Sequence, residues 1–327
     1  MQNKINKTRA MVEAGIMAAV LVVIMLLSVY VPGLSIIAYV VLPTIVALVY
    51  IRNGFEYALG SIFIAIIIGF GFTNIVTAAV NGLVLIFVGL TLGYCIKNKI
   101  KAANTIIFQG IGFVIVEAIN FYILPLLLFP NGLTGLVNAF VINFNESLKL
   151  GKSMYIAAGI SKAQIDQLIP STYVLTNTMV FELLIPLIII ISCIYAFINY
   201  KITEMIFKRL KIEMEKRRNV TYFYIPSLLL AFLIILVCAG LLLQHWNIPI
   251  GEYIFTSAWL FFQCVLFFDA IVYLAFVLRH RFNMAKPLCV VIILLLLLVL
   301  NNWFVIIGII DCTFDLRKLD KNRIKKD

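Results

Sequence analysis

Apolar residues in this chain come in long unbroken runs, without the alternation of a half-buried strand or the one-sided stripe of a surface helix. Nine runs stand out: residues 11–31, 34–51, 55–72, 75–96, 103–129, 171–199, 222–243, 253–277 and 287–310. Each approaches or exceeds the ~20 residues that a helix rising 1.5 Å per residue needs to cross about 30 Å of hydrocarbon. The expected fold is therefore all-α, a polytopic transmembrane helix bundle of about nine spans. The first run follows Lys4, Lys7 and Arg9 as a secretory signal would. It is too long for a signal core, lacks a small-residue cleavage site and leads straight into further runs, so it is read as the first helix.

Composition agrees: of 327 residues, 63% are hydrophobic and 13% charged, against roughly 45–50% and about 25% in soluble domains. A soluble enzyme is excluded. The net charge of +11 does not indicate a nucleic-acid partner, because the 26 Lys and Arg lie in short clusters between apolar runs. Cytoplasmic loops retain such clusters. With the N-terminus inside, alternate loops hold 3, 1, 3, 7 and 3 basic residues up to Lys286, while the outer loops hold only Lys149, Lys152 and Lys162. The tail breaks this pattern, since Arg317, Lys318, Lys321, Arg323, Lys325 and Lys326 follow a ninth run and fall outside by parity. Asn301 and Asn302 interrupt that run, and a re-entrant course would return the tail inside, although neither half is long enough to span. Nine spans is the expected count.

Two stretches between runs are long. Residues 131–170 form an outer loop whose part 133–150 mixes apolar and polar positions, as a lid or an interfacial helix would. Residues 201–218 carry basic residues among Ile202, Met205, Ile206 and Leu210 at helical spacing. That suits either a basic amphipathic helix on anionic lipid or a plain topology-fixing charge cluster. The expected division is 1–200 as a six-span domain, 201–221 as the basic segment, 222–310 as three further spans and 311–327 as a charged tail.

Catalytic signatures are missing, and no enzyme, cofactor or metal is expected. Gly151, Lys152 and Ser153 imitate the end of a phosphate-binding loop, but Glu146 stands where its first glycine belongs. His245 and His280 lie at opposite expected faces, and the six cysteines have no metal-type spacing. Acceptor-type triplets at Asn6, Asn145 and Asn219 are read as chance matches. The informative residues are carboxylates inside runs, where an ionised group costs about 2.5–3.5 kcal/mol on insertion scales. Glu117, Glu182 and Asp269 qualify, and none has a Lys or Arg expected at comparable depth. Asn81, Gln109, Asn120 and Gln263 are the polar neighbours. Glu117, Glu182, Asn81 and Asn120 are the candidate ligand-binding set, against the alternative that the carboxyls only bond neighbouring helices; Asp269 is read as structural. Ala14 with Ala18, and Gly89 with Gly93, are small-residue pairs that permit close helix approach.

Residues 1–200 resemble the substrate-binding S components of energy-coupling-factor vitamin transporters, six-span proteins with cytoplasmic ends. The resemblance rests on Ala14-Gly-Ile-Met-Ala18, on Val41-Leu-Pro-Thr-Ile-Val-Ala-Leu-Val-Tyr-Ile-Arg-Asn-Gly54, and on the glycine-bearing helix through Gly93 before a long outer loop. The whole chain, with its ending Gly308-Ile-Ile-Asp-Cys-Thr-Phe-Asp-Leu-Arg-Lys318, is similar to the YybS family of bacterial membrane proteins. The resemblance implies a bacterial cell membrane, a small-molecule ligand, and Ala14 and Ala18 as docking surface for a membrane coupling subunit, with an ATPase supplied in trans. Extra C-terminal spans and the lack of a vitamin-pocket motif separate the chain from true S components. Small-molecule binding or uptake is the leading expectation; a membrane scaffold or regulator without a ligand is the other.

Overall fold

The computed structural model describes residues 2–31, 33–73, 75–168, 174–215, 223, 225–299 and 301–319. Lys216, Arg217 and Arg218 of the basic segment lie outside the described residues, as do Lys321, Arg323, Lys325 and Lys326 of the tail. Among the described residues every regular element is helical, as lipid demands of backbone groups that have no water to bond. In chain order they are α1 (Gln2–Tyr30), α2 (Leu34–Asn53), α3 (Phe55–Phe72), α4 (Ile75–Lys97), α5 (Ala102–Leu128), α6 (Gly132–Ala157) and α7 (Lys162–Leu168). Then follow α8 (Asn177–Arg209), α9 (Ser227–His245), α10 (Ile250–His280), α11 (Lys286–Val299) and α12 (Asn301–Phe314). Wide π-helical turns interrupt α4 at Leu85–Leu90 and α5 at Ile119–Ile123.

Eight of these helices, α1–α5 and α8–α10, are long and apolar enough to cross a membrane. The ninth run is helical over Lys286–Val299, α11, and Asn301–Phe314, α12, with Leu300 outside the described residues. Residues 131–170 differ from a plain loop. They hold α6, a 26-residue helix with buried Gly132, Val137 and Val141 that packs against the last turns of α5, π-turn included. Asn145 pins the chain beyond it, since its amide donates to the Leu175 carbonyl at 2.9 Å and its oxygen accepts the Leu175 N–H at 3.0 Å. In the basic segment α8 runs on to Arg209. Phe207 and Thr203 are buried there and Met205 is exposed, so the inward face differs from the one that Met205 and Leu210 suggested. Ile212 and Met214 then fold back onto the core around Leu48, Leu92 and Phe207.

The chain forms two compact units. The first comprises Met1–Leu175 and Leu187–Arg217, the second Thr176–Pro186 and Arg218–Asp327. In the first unit Leu21, Met25, Leu42, Val46, Ile62 and Leu85 build the core where α1, α2, α3 and α4 meet. Gly54, at φ +96°, makes the sharp turn from α2 into α3 that side-chain-bearing residues rarely adopt. Gly89 and Gly93 let α4 lie directly on α2: a Cβ at Gly93 would stand 2.6 Å from the Cβ of Tyr50. In the second unit α9 and α10 form a tight antiparallel hairpin, with Gly240 against the Phe255 backbone and Gly251 against Leu243 and Gln244. Here α12 packs on α10 through Phe304 and Phe267, whose rings are 5.3 Å apart, and through Gly308 against the Leu266 carbonyl.

Candidate functional site

On α5 the residues Thr105, Gln109, Phe113 and Glu117 recur every fourth position, so they lie on one helical face. All four are buried, and the face they form is met by α2 and α8 of the same unit. Glu117 is 9% exposed, and its Oε1 accepts a hydrogen bond from the Tyr39 hydroxyl at 2.8 Å. The Tyr39 ring lies 5.8 Å from that of Phe113 and 5.3 Å from that of Tyr195, which is itself 5.7 Å from Phe113. The carboxyl therefore heads an aromatic cluster drawn from three helices. Among the described residues no ion pair involves Glu117.

The two asparagines expected beside Glu117 flank the π-turns. Asn120 lies within Ile119–Ile123, partly exposed, and buried Asn81 lies one helical turn before Leu85–Leu90. A π-turn widens the helix by one residue and often marks a functional position. In α4 the turn presents the Phe87 carbonyl, which accepts the Thr91 hydroxyl at 2.6 Å and abuts Gly112 of α5.

Farther along the same faces runs a polar ladder. Gln109 donates its amide to the Asn199 side-chain oxygen, and Asn199 donates in turn to the Val40 carbonyl at 2.5 Å. The Thr44 and Thr203 hydroxyls are paired at 2.8 Å. Among the described residues, Gln109 Oε1 and Ser192 Oγ are buried without a hydrogen-bond partner. Each such orphan costs roughly 1–3 kcal/mol unless water or a ligand meets it.

Glu182 belongs to the second unit, at the start of α8, where its backbone carbonyl accepts the Ser257 hydroxyl at 2.8 Å. Glu117 and Glu182 thus fall in different units. Ala14 and Ala18, expected as a docking patch, are 6% and 0% exposed. They face the core of their own unit, so their small size serves packing of α1 within the chain. Met11, Val12, Ile16 and Val23 form its exposed side.

Asp269, read as structural but expected to have no Lys or Arg at its depth, requires a correction on the second point, because it is paired with Arg317. Arg317 Nη2 lies 2.5 Å from Asp269 Oδ1 and 2.6 Å from Asp311 Oδ2, with side-chain exposures of 2%, 0% and 3% for the Arg and the two Asp. Arg317 also donates Nη1 to the Phe223 carbonyl at 2.7 Å, and the Cys312 thiol approaches Asp269 Oδ2 at 3.4 Å. The partner escaped detection because it stands 48 residues away, beyond the last apolar run. An open cleft of about 690 Å³ at the start of α1 and the α2–α3 turn is lined by Lys7, Arg9, Glu13, Arg52, Asn53 and Glu56. Arg52 donates there to Glu13 Oε1 at 2.8 Å.

Comparison with known proteins found no curated protein and no solved structure that matches the chain. Residues 19–312, which take in the Glu117 cluster and both Asp269 and Asp311, match the model of the family described as Predicted membrane protein (DUF2232), and the chain belongs to that family.

Proposed function

We propose that this membrane protein binds a small polar molecule in its first unit, at Glu117, as a step in capture or uptake. The observation that carries the reading is a carboxyl buried in an apolar helix with a tyrosine hydroxyl as its partner and no counter-ion among the described residues. Lipid-embedded carboxyls are expensive, and those without a cation are retained chiefly where they meet a ligand, a proton or a second polar group. Asn81 and Asn120 add amides next to π-turns, and α6 stands against the end of α5 where a lid would stand. Since the sequence carries no phosphate-binding loop, uptake by this route draws its energy from partner subunits. The likeness of residues 1–200 to S components, and of the chain to YybS proteins of bacterial membranes, fits that arrangement with the N-terminus cytoplasmic.

The test is mass spectrometry of small molecules retained through gentle purification, on the unaltered protein, Glu117→Gln and Tyr39→Phe. The unaltered protein is expected to carry a polar metabolite that raises its unfolding temperature when added back. Glu117→Gln should retain about tenfold less, equivalent to ~1.4 kcal/mol, while staying folded. Equal retention in the unaltered protein and Glu117→Gln, or no retained metabolite and no thermal shift, defeats the proposal and favours a ligand-free scaffold.

A further inference from the structure

We infer that the last apolar run, α11 with α12, enters and leaves the bilayer on one face, so that the chain end returns to the side from which α9 starts. The Asp269–Arg317–Asp311 cluster is the clasp that holds it there.

The α9–α10 hairpin supplies a ruler. Gly240 lies against Phe255, and Gly251 against Leu243 and Gln244. Carried down this antiparallel register, the start of α9 at Ser227 falls level with the stretch of α10 around Phe268. The ring of Phe223, four residues before Ser227, is 5.5 Å from that of Phe268. At 1.5 Å per residue, the 19 residues of α9 measure about 28 Å, close to the hydrocarbon thickness. Asp269 therefore stands near the membrane boundary on the face where α9 begins, not at the bilayer centre. Its burial comes from protein, and α10 continues past it to His280.

Arg317 joins this level directly, with one nitrogen on the Phe223 carbonyl and another on Asp269. The chain has thus come back to the height of the residues that precede α9. The course of α12 explains how. Phe304, Gly308 and Cys312, spread along about 12 Å of helix, meet Phe267, Leu266 and Asp269 of α10. Those α10 positions span only about 4.5 Å of rise. The helix lies across α10 instead of running its length, and cannot carry the chain to the other face.

The inference removes the charge anomaly. A crossing ninth run strands the six basic residues from Arg317 to Lys326 on the face that is otherwise poor in Lys and Arg. Eight crossings put them with the basic segment that precedes α9, and positive charge then gathers on one face throughout.

The test places single cysteines at Glu215, Trp246 and Lys318 in a background without native cysteines, and labels them with a membrane-impermeant maleimide in intact cells and in inverted vesicles. Position 318 is expected to share the labelling side of position 215 and oppose position 246. Labelling of 318 together with 246 overturns the inference. Because Cys312 touches the clasp, a second measurement keeps native cysteines: protease trimming of a C-terminal epitope tag in intact cells and inverted vesicles. The tag should be cut from the same side as a site placed after Glu215, and cutting from the opposite side refutes the re-entrant course. The comparison is internal to the second half of the chain, so it stands or falls independently of ligand binding at Glu117.

Discussion

Arg317 answers to four groups with one guanidinium: two carboxylates, a backbone carbonyl and, through Asp269, a thiol. Its planar fork suits this, whereas a lysine ammonium can satisfy fewer of them at fixed geometry. Removing one partner of a buried ion pair strands the other charges and typically costs about 3–5 kcal/mol. Arg317→Gln should therefore lower the unfolding temperature in detergent markedly, and Arg317→Lys should fall between it and the unaltered protein. Equal unfolding temperatures for all three would show that the clasp contributes nothing to stability. The sequence revealed Asp269 as a polar residue in an apolar run but not its partner, because hydropathy along the chain carries no information about a contact 48 residues away. Glu117 and Asn81 were legible by the same signal. Tyr39, Tyr195 and Asn199 were not, since single tyrosines and asparagines along apolar runs are unremarkable until α2, α5 and α8 are seen to converge.

Among the elements, the apolar runs translated almost directly into helices, because each must satisfy its own backbone in lipid. The exceptions share a cause. A lipid-facing helix is apolar on most sides, so its periodicity is weak, and departures from regular geometry leave no trace in the pattern. Both π-turns were invisible for this reason. The wide turn at Ile119–Ile123 accommodates one residue more than an α-turn. Deleting one residue there should restore regular helix with little displacement of the flanking turns. Deleting one in the regular stretch before Gln109 rotates all that follows by roughly 100° and breaks the buried face. The expected outcome is a monodisperse peak on size exclusion for the first deletion and aggregation for the second. Loss of metabolite retention in the first alone would tie the π-turn to ligand binding beside Glu117. If both deletions aggregate equally, the π-turn is not a simple one-residue insertion.

At the scale of the whole molecule, the boundary between units follows packing more than sequence order. The first ten residues of α8 cluster with the C-terminal helices, while the rest of α8 supplies Tyr195, Asn199 and Thr203 to the first unit. Composition could show where the chain crosses lipid, but a helix shared by two units reads as one uniform apolar run. This division has a direct consequence for a chain ending at Arg217. Every described partner of Glu117 and of the Gln109–Asn199 ladder lies before that point, so the core of the first unit keeps its contacts. The start of α8 loses the Ser257 hydroxyl that bonds the Glu182 carbonyl, together with the rest of its own unit. The truncated chain is expected to insert, to remain soluble in mild detergent, and to unfold cooperatively at a lower temperature than the full chain, with retention of any metabolite undiminished. Aggregation of the truncated chain would mean that the first unit depends on the second for folding. Folding with loss of the metabolite would move the ligand toward Glu182 and away from Glu117. The three outcomes separate the two carboxylates by where their partners are encoded, something that substitution at either one alone does not do.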